Sequence, residues 1–139
     1  MTSYDAYSLK WLQACLVMGL LSLMLPAQAA TEAALVLFSH GNVVLTNNSG
    51  SYPLEKGASV ASGDTVITGE DGRIQMRFSD GGLVSLMPNS RFAVEEYEQP
   101  SATNEGSVSV NLLKGGMRAL SGSIGKNQPD NYQLKTDVA

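Results

Sequence analysis

Three aspartates recur beside glycines, and their side chains are the ones in this sequence best suited to binding a metal ion. Asp64, Asp71 and Asp80 each adjoin a glycine, and those glycines lie nine residues apart, at positions 63, 72 and 81. Calcium takes carboxylate and turn-carbonyl oxygens as ligands, so a calcium-stabilised structure is one interpretation. Calcium-binding nonapeptide repeats carry denser glycine, however. Asp-Gly pairs are also typical of tight turns, and the spacing favours turns.

The remaining reactive side chains do not predict catalysis. His40, the single histidine, lies in a predicted turn, and no Gly-x-Ser-x-Gly nucleophile motif occurs. One histidine is too few for a zinc site. Glu95 and Glu96 are adjacent in a predicted strand, where neighbouring side chains point to opposite faces, so we do not expect them to share a site. The sequence therefore predicts a protein that is not an enzyme, with no catalytic, cofactor-binding or metal-binding residues.

A glycine-rich run from Ser121 to Lys126 invites comparison with phosphate-binding loops. Such loops place backbone amides at the start of a helix, so that the amides point at the anion. The residues that follow, Asn127 to Asn131, are typical of another turn rather than of a helix. Phosphate binding is therefore not expected.

Residues 1–29 have the pattern of a secretory signal peptide. A polar start precedes an apolar run from Trp11 to Leu25, and residues 27–29 form an Ala-x-Ala cleavage pattern. The apolar run is about 15 residues long, short of the roughly 20 that a membrane-spanning helix needs. We expect a signal-peptide helix, cleavage near Ala29 and a periplasmic or secreted mature chain. The alternative is an uncleaved membrane anchor.

The mature chain, residues 30–139, must be stabilised by its apolar core. Cys15, the only cysteine, lies in the predicted signal peptide, so no disulfide is available. The formal net charge is −4 and the cations are dispersed along the sequence, which argues against a nucleic-acid partner. We expect one domain of about 110 residues, a size at which a core without disulfides is feasible.

Short β-prone segments follow one another along this domain. The first two, Ala33 to Phe38 and Asn42 to Thr46, are predicted to pair with each other. Arg73 to Phe78 alternate strictly between polar and apolar residues, as in a strand with one buried face. Further strands are predicted at 83–86, 92–97, 107–112, 117–120 and 132–136. The sequence therefore predicts an all-β fold, either a small solenoid-like roll or a sandwich of short strands.

Two stretches of the mature chain differ from this series of paired strands. Gln99 to Gly106 form the longest polar loop of the mature chain, which we expect to be exposed and mobile. The last predicted strand, Tyr132 to Thr136, is followed almost at once by Ala139, so its backbone partners are left unmade. We therefore expect the domain to be truncated at its C-terminus.

The order of these motifs resembles the FecR domain. Its usual pattern is a Gly-Asp, a Thr-Gly and a strand ending in Phe-x-Asp-Gly-Ser, and this sequence has Gly63-Asp64, Thr68-Gly69 and Phe78-x-Asp80-Gly81. Asp71-Gly72-Arg73 and Leu86 also fit. Residues similar to the form found in exported proteobacterial members lie at 112–118, 122–126 and 130–136. The resemblance covers residues 40–139.

This resemblance implies an exported all-β domain without catalytic residues. The named FecR proteins are inner-membrane sensors that receive a signal from a TonB-dependent outer-membrane transducer and pass it to a cytoplasmic sigma factor. This sequence differs from that plan, because no cytoplasmic anti-sigma region precedes its apolar segment, and the segment has a cleavage pattern. The resemblance therefore implies a FecR domain, but not the transmembrane signalling of the named FecR proteins.

Three functions follow from these observations. The first is a non-enzymatic exported binding or scaffolding domain, whose partner is a protein or an envelope polymer. The second is a periplasmic sensor in TonB-dependent or sigma-factor signalling, anchored in the membrane through Trp11 to Leu25. The third is a calcium-stabilised structural passenger of a larger surface protein. Membrane contact is expected only through the signal segment, if that segment is not cleaved.

Overall fold

The computed structural model describes residues 30–137, and within them eleven strands form two sheets. The predicted signal peptide and the expected truncation lie outside the described residues. The all-β prediction is confirmed. In chain order the strands are β1 (Glu32–His40), β2 (Val43–Asn47), β3 (Gly50–Pro53), β4 (Ser59–Ala61), β5 (Thr65–Thr68), β6 (Arg73–Phe78), β7 (Leu83–Leu86), β8 (Arg91–Glu98), β9 (Ser107–Lys114), β10 (Met117–Leu120) and β11 (Tyr132–Thr136).

The two sheets pack against each other as a sandwich. Sheet A has the strand order β10-β7-β6-β1-β4, and sheet B has the order β11-β9-β8-β5-β2-β3. All strand pairs are antiparallel except β11, which runs parallel to β9. Both sheets contribute to one core, which includes Val36 and Met76 from sheet A and Val66, Phe92 and Val110 from sheet B.

The predicted alternation of buried and exposed residues is confirmed in the central strands. Ile74, Met76 and Phe78 on β6 are at most 5% exposed. The strands predicted around residues 83–86 and 107–112 show the same pattern, with buried side chains at positions 84, 86, 108, 110 and 112. The apolar period of two therefore identified the core-facing side of these three strands.

The predicted pairing of the first two strands is wrong. β1 pairs with β4 and β6 in sheet A, whereas β2 pairs with β3 and β5 in sheet B. The chain crosses from one sheet to the other at Gly41 and Asn42. A short turn shows that the chain changes direction, but the local pattern does not show whether the next strand joins the same sheet. Only packing across the core determines that.

The three Asp-Gly turns likewise join strands in different ways. The turn before Asp64 leads from β4 in sheet A to β5 in sheet B, and the turn at Asp71 returns the chain to sheet A. The turn at Asp80 closes a hairpin between β6 and β7. Gly81 in that hairpin has a φ of +89°, in the left-handed region that favours glycine. The turn prediction is confirmed at all three positions.

One short helix, α1 (Ser123–Asn127), lies in the glycine-rich run, where the sequence predicted no helix. Its Ile124 is 1% exposed and belongs to the core. A 3-10 turn at Pro129–Asn131 follows and leads into β11. A single helical turn is too short for the 3.6-residue period to be recognised, which explains the missed helix. Within residues 30–137, no helix is long and apolar enough to cross a bilayer.

The loop from Gln99 to Gly106 is largely exposed, as predicted. It joins β8 to β9 and is held by Asn104, whose side chain donates a hydrogen bond to Glu98 and accepts one from the backbone amide of Gly106. Its predicted mobility stays a prediction.

Candidate functional site

The carboxylates of the turn aspartates accept hydrogen bonds from nearby amides of the protein. Asp64 is 7% exposed, and its carboxylate accepts hydrogen bonds from the Ala61 amide at 2.8 Å and the Asn47 side-chain amide at 2.9 Å. Asp71 accepts one from the Asn42 amide at 3.1 Å. No three His, Cys, Asp or Glu side chains among residues 30–137 are grouped so that they could hold a metal ion. These carboxylates therefore hold turns, as Asx turns do.

Asp80 joins its hairpin to the start of α1. One carboxylate oxygen accepts a hydrogen bond from the Gly82 amide at 3.1 Å, and the other accepts one from the Ile124 amide at 3.2 Å. The backbone carbonyl of Asp80 accepts a further bond from the Ser123 amide. The glycine-rich run therefore does begin a helix, which the sequence did not predict. The carboxylate occupies the position that an anion would take at a helix start.

Two buried hydroxyls connect the sheets at one corner of the sandwich. The Thr68 hydroxyl donates to the Met87 carbonyl at 2.7 Å and accepts from the Ser90 amide at 2.9 Å. The Ser90 hydroxyl donates to the Gly116 carbonyl at 3.0 Å and accepts from the Gly116 amide at 3.1 Å. The Thr-Gly and Gly-Gly motifs, which are far apart in sequence, therefore meet. Their role here is to pair buried backbone groups.

A small gap in the core lies beside Asp80. It has a volume of about 10 Å³, room for roughly one water molecule. Burial raises the pKa of the Tyr132 hydroxyl that lines it, and the Asp80 charge raises it further. Burial and the same charge also raise the pKa of the Tyr97 hydroxyl. This gap is too small for a ligand.

A bulge in β8 places two carboxylates on the same side of the domain. Val94 pairs with Val110 and Glu96 pairs with Ser109, which leaves Glu95 as the extra residue. Both glutamates are exposed, and both line one cleft of about 400 Å³. The prediction that they point to opposite faces is therefore wrong. It assumed a regular strand, and a bulge breaks the alternation.

This polar cleft lies on the outer side of sheet B, next to the edge strand β11. At its centre, Glu95 forms an ion pair of 2.8 Å with Lys135. Glu95 also accepts hydrogen bonds from Ser109 at 3.0 Å and from Asn111 at 3.3 Å. The hydrogen bond from Lys135, followed by those from Ser109 and Asn111, lowers the pKa of Glu95. Other polar residues that line the cleft are Glu96, Ser107, Asp130, Asn131 and Gln133.

His40 does not belong to this cleft. It is exposed, as predicted, but it ends strand β1 instead of lying in a turn. Its ring stacks on Phe38, with the ring centres 6.5 Å apart. The sequence thus singled out His40 and the two glutamates as reactive side chains. It did not predict that His40 stacks on Phe38 or that Glu95 pairs with Lys135. The polar cleft combines residues from β8, β9 and β11 that are up to 40 positions apart.

Removing Lys135 is expected to raise the titration midpoint of Glu95. The Glu95 carboxyl should titrate below its ordinary value of 4.5, and Lys135→Met should move the midpoint upward. Because the folded-state pKa is lowered, the ionised carboxyl stabilises the fold above its unfolded pKa, and this contribution is lost as the pH falls through the folded-state pKa. Carbon-detected NMR titration measures the midpoint. Lys126→Met is the control and should leave Glu95 unchanged; an unchanged midpoint in Lys135→Met would contradict the ion pair.

The identity of the domain follows from a comparison with family models. Residues 64–139, just over half of the chain, match the model described as FecR protein. The chain belongs to the FecR family. The FecR resemblance of the sequence is therefore confirmed, and this family is one of regulatory signalling proteins. No curated protein and no solved structure matches the chain.

The FecR match contains both the structural corner and the polar cleft. Thr68, Asp80 and Gly116, which belong to the FecR-like motifs, hold turns and sheet connections. The cleft residues around Glu95 and Lys135 lie in the same matched segment. In this FecR domain the motif residues thus build the scaffold, while the accessible polar groups lie on β8, β9 and β11.

Proposed function

We propose that this FecR-family chain is a non-enzymatic exported domain that binds a polypeptide partner in signalling. The observation that supports this function is the polar cleft beside β11. In the strand order, β11 lies at one end of sheet B, next to β9. An edge strand of this kind can accept an extended segment of another chain through backbone hydrogen bonds.

The side chains of the cleft can add specificity to such binding. Gln133 and Lys135 of β11 are exposed and face the cleft, and Glu95 and Glu96 lie across from them. The cleft therefore offers amide donors and acceptors together with both signs of charge. Polar groups of this kind recognise the side chains of an extended polypeptide, while the sheet edge supplies affinity.

A photo-crosslinking amino acid at Gln133 tests this function. The full chain is produced in cells with the crosslinker at Gln133, or at Ser51 on β3, the opposite edge of sheet B. We expect a discrete protein adduct from position 133 and none from position 51. The captured protein, once purified, should bind the wild-type chain and bind the Lys135→Glu variant at least several-fold more weakly. The same adducts from both positions, or none from position 133, would contradict the proposal.

The family match also supports a sensor as a second function. In that case the apolar segment from Trp11 to Leu25 would serve as its membrane anchor. Cell fractionation distinguishes the two. Release by osmotic shock with a new N-terminus at Ala30 supports the exported domain, whereas retention in the membrane with Met1 intact supports the anchored sensor.

A further inference from the structure

The outer side of sheet A carries cations and apolar side chains together. In the strand register Leu120, Arg77 and Leu35 lie in one row across β10, β6 and β1. Arg118 and Phe38 lie in the adjacent row, and Arg73 lies one row further on. We call these six residues the basic face. The three arginines are exposed, and Leu35, Phe38 and Leu120 are between 43% and 56% exposed.

A bulge in β1 turns Phe38 onto this face. Val36 pairs with Met76 and Phe38 pairs with Gln75, which leaves Leu37 as the extra residue. In a regular strand Val36 and Phe38 would point to the same side. Val36 is 1% exposed, whereas Phe38 is 50% exposed. The bulge therefore directs a large aromatic side chain away from the core and toward solvent, which is a common use of bulges near functional surfaces.

The charge on the basic face is unbalanced. The ion pair between Lys135 and Glu95 is the only one found among residues 30–137, so none of the three arginines has an acidic partner there. No carboxylate lies in these rows of the strand register. Glu32 lies on β1 outside them, and Asp71, which precedes Arg73 by two residues, accepts a hydrogen bond from the Asn42 amide. The chain as a whole has a formal net charge of −4. A positive face on an acidic protein creates a local field that attracts anions.

The spacing of the arginines indicates what kind of anion fits. Arg73 and Arg77 are four residues apart on β6, or about 13 Å at the usual rise of a strand. Arg77 and Arg118 are two strands and one row apart, or about 12 Å at the usual strand spacing and rise. The guanidinium groups are therefore distributed over the face instead of converging on one phosphate. The target must present many negative charges over a broad surface.

We propose that the basic face docks on the surface of an anionic lipid bilayer. A bilayer interface takes up apolar side chains such as Phe38 and Leu120, while its anionic headgroups bind neighbouring arginines. An acidic polypeptide would satisfy the charges but does not explain the exposed apolar side chains among them. The basic face is on sheet A and the polar cleft is on sheet B, so both can be occupied at once. Membrane contact is then not confined to the signal segment.

Vesicle co-sedimentation of the full chain tests this inference. Vesicles of phosphatidylcholine alone are compared with vesicles that also contain phosphatidylglycerol. Three arginines near the surface are expected to favour the anionic vesicles by roughly a hundredfold at low salt, and less as salt increases. Residues 11–25 can also bind lipid, but they are present with both vesicle types, so the ratio between them is the measurement.

Matched variants assign the binding to the basic face. The triple variant Arg73→Gln, Arg77→Gln, Arg118→Gln should lose the preference for anionic vesicles. The control variant Arg91→Gln, Lys114→Gln, Lys126→Gln removes the same charge from sheet B and α1, away from the basic face, and should keep most of the preference. Because the changed side chains are exposed, thermal melting should show all variants folded. Trp11 is the only tryptophan of the wild-type chain. Phe38→Trp should therefore add a second component to the emission, blue-shifted on anionic vesicles but not on phosphatidylcholine vesicles.

Three results would overturn the inference. One is equal binding of the wild-type chain to both vesicle types, and another is equal loss in the triple and control variants. The third is binding to polyglutamate but not to anionic vesicles, which would assign the basic face to an acidic polypeptide. Crosslinking at Gln133 in the triple variant separates this test from that of the proposed function. If the wild-type chain shows no preference for anionic vesicles but the Gln133 adduct still forms, the bilayer inference is overturned and the proposed polypeptide binding at the polar cleft is retained.

Discussion

Replacement of Gly115 by alanine is expected to destabilise the domain by more than about 3 kcal/mol. Gly115 has a φ of +84°, where a residue with a Cβ is strained. A Cβ would also lie 2.3 Å from the Ser90 hydroxyl oxygen and 2.6 Å from the Ser90 Cα. The backbone of Ser90 cannot move without disturbing the two hydrogen bonds between its hydroxyl and Gly116. Chemical denaturation of the full chain measures the loss.

Gly81→Ala is the matched control for this prediction. Gly81 has a φ of +89°, close to that of Gly115, but no atom lies within 4 Å of the position that its Cβ would occupy. We therefore expect only the backbone strain, about 1–2 kcal/mol. The difference between the two variants isolates the close approach at Ser90. Equal losses would show that the corner can open to accept a methyl group, contrary to the packing described.

Thr68→Val is expected to cost about 2–4 kcal/mol, although the shape of the side chain is nearly unchanged. Thr68 is 3% exposed, and its hydroxyl is bonded to both the Ser90 amide and the Met87 carbonyl. Valine would fill the same space and leave these backbone groups without that partner. Each buried polar group that loses its partner costs roughly 1–3 kcal/mol. Urea denaturation at constant pH measures the change.

Thr65→Val on the same strand provides the comparison. The Thr65 side chain is partly exposed, and its hydroxyl makes no hydrogen bond to another of the residues 30–137 in this structure. We expect its replacement to change the stability by no more than about 0.5 kcal/mol. If the two valine variants were equally stable, the buried amide of Ser90 would have found another partner, and the hydroxyl would not be the group that holds the corner.

These two predictions concern residues that the sequence had already singled out, but for a different reason. Thr68 and Gly115 were recognised as parts of short motifs, each weak alone. The structure brings the two motifs together at Ser90, which the sequence did not single out. A buried serine with no motif around it leaves no local signal, because its role depends on which loops meet at that point.

Both candidate surfaces depend on bulges, and neither bulge was predicted. One extra residue at Glu95 places two carboxylates in the polar cleft, and one at Leu37 turns Phe38 outward. A bulge is a mismatch between two paired strands. It is therefore a property of the pair, and it cannot be recognised in one strand before its partner and register are known.

The sequence by itself determined most of the strands, the buried sides of the regular ones and most of the turns. These features depend on neighbouring residues, as the alternation from Arg73 to Phe78 and the Asp80-Gly81 turn show. Only the tertiary structure decided which sheet each strand joins, which motifs meet, and which side chains share the polar cleft and the basic face. Those outcomes depend on packing between segments far apart in the chain. A local sequence pattern does not specify which distant segments will pack against it.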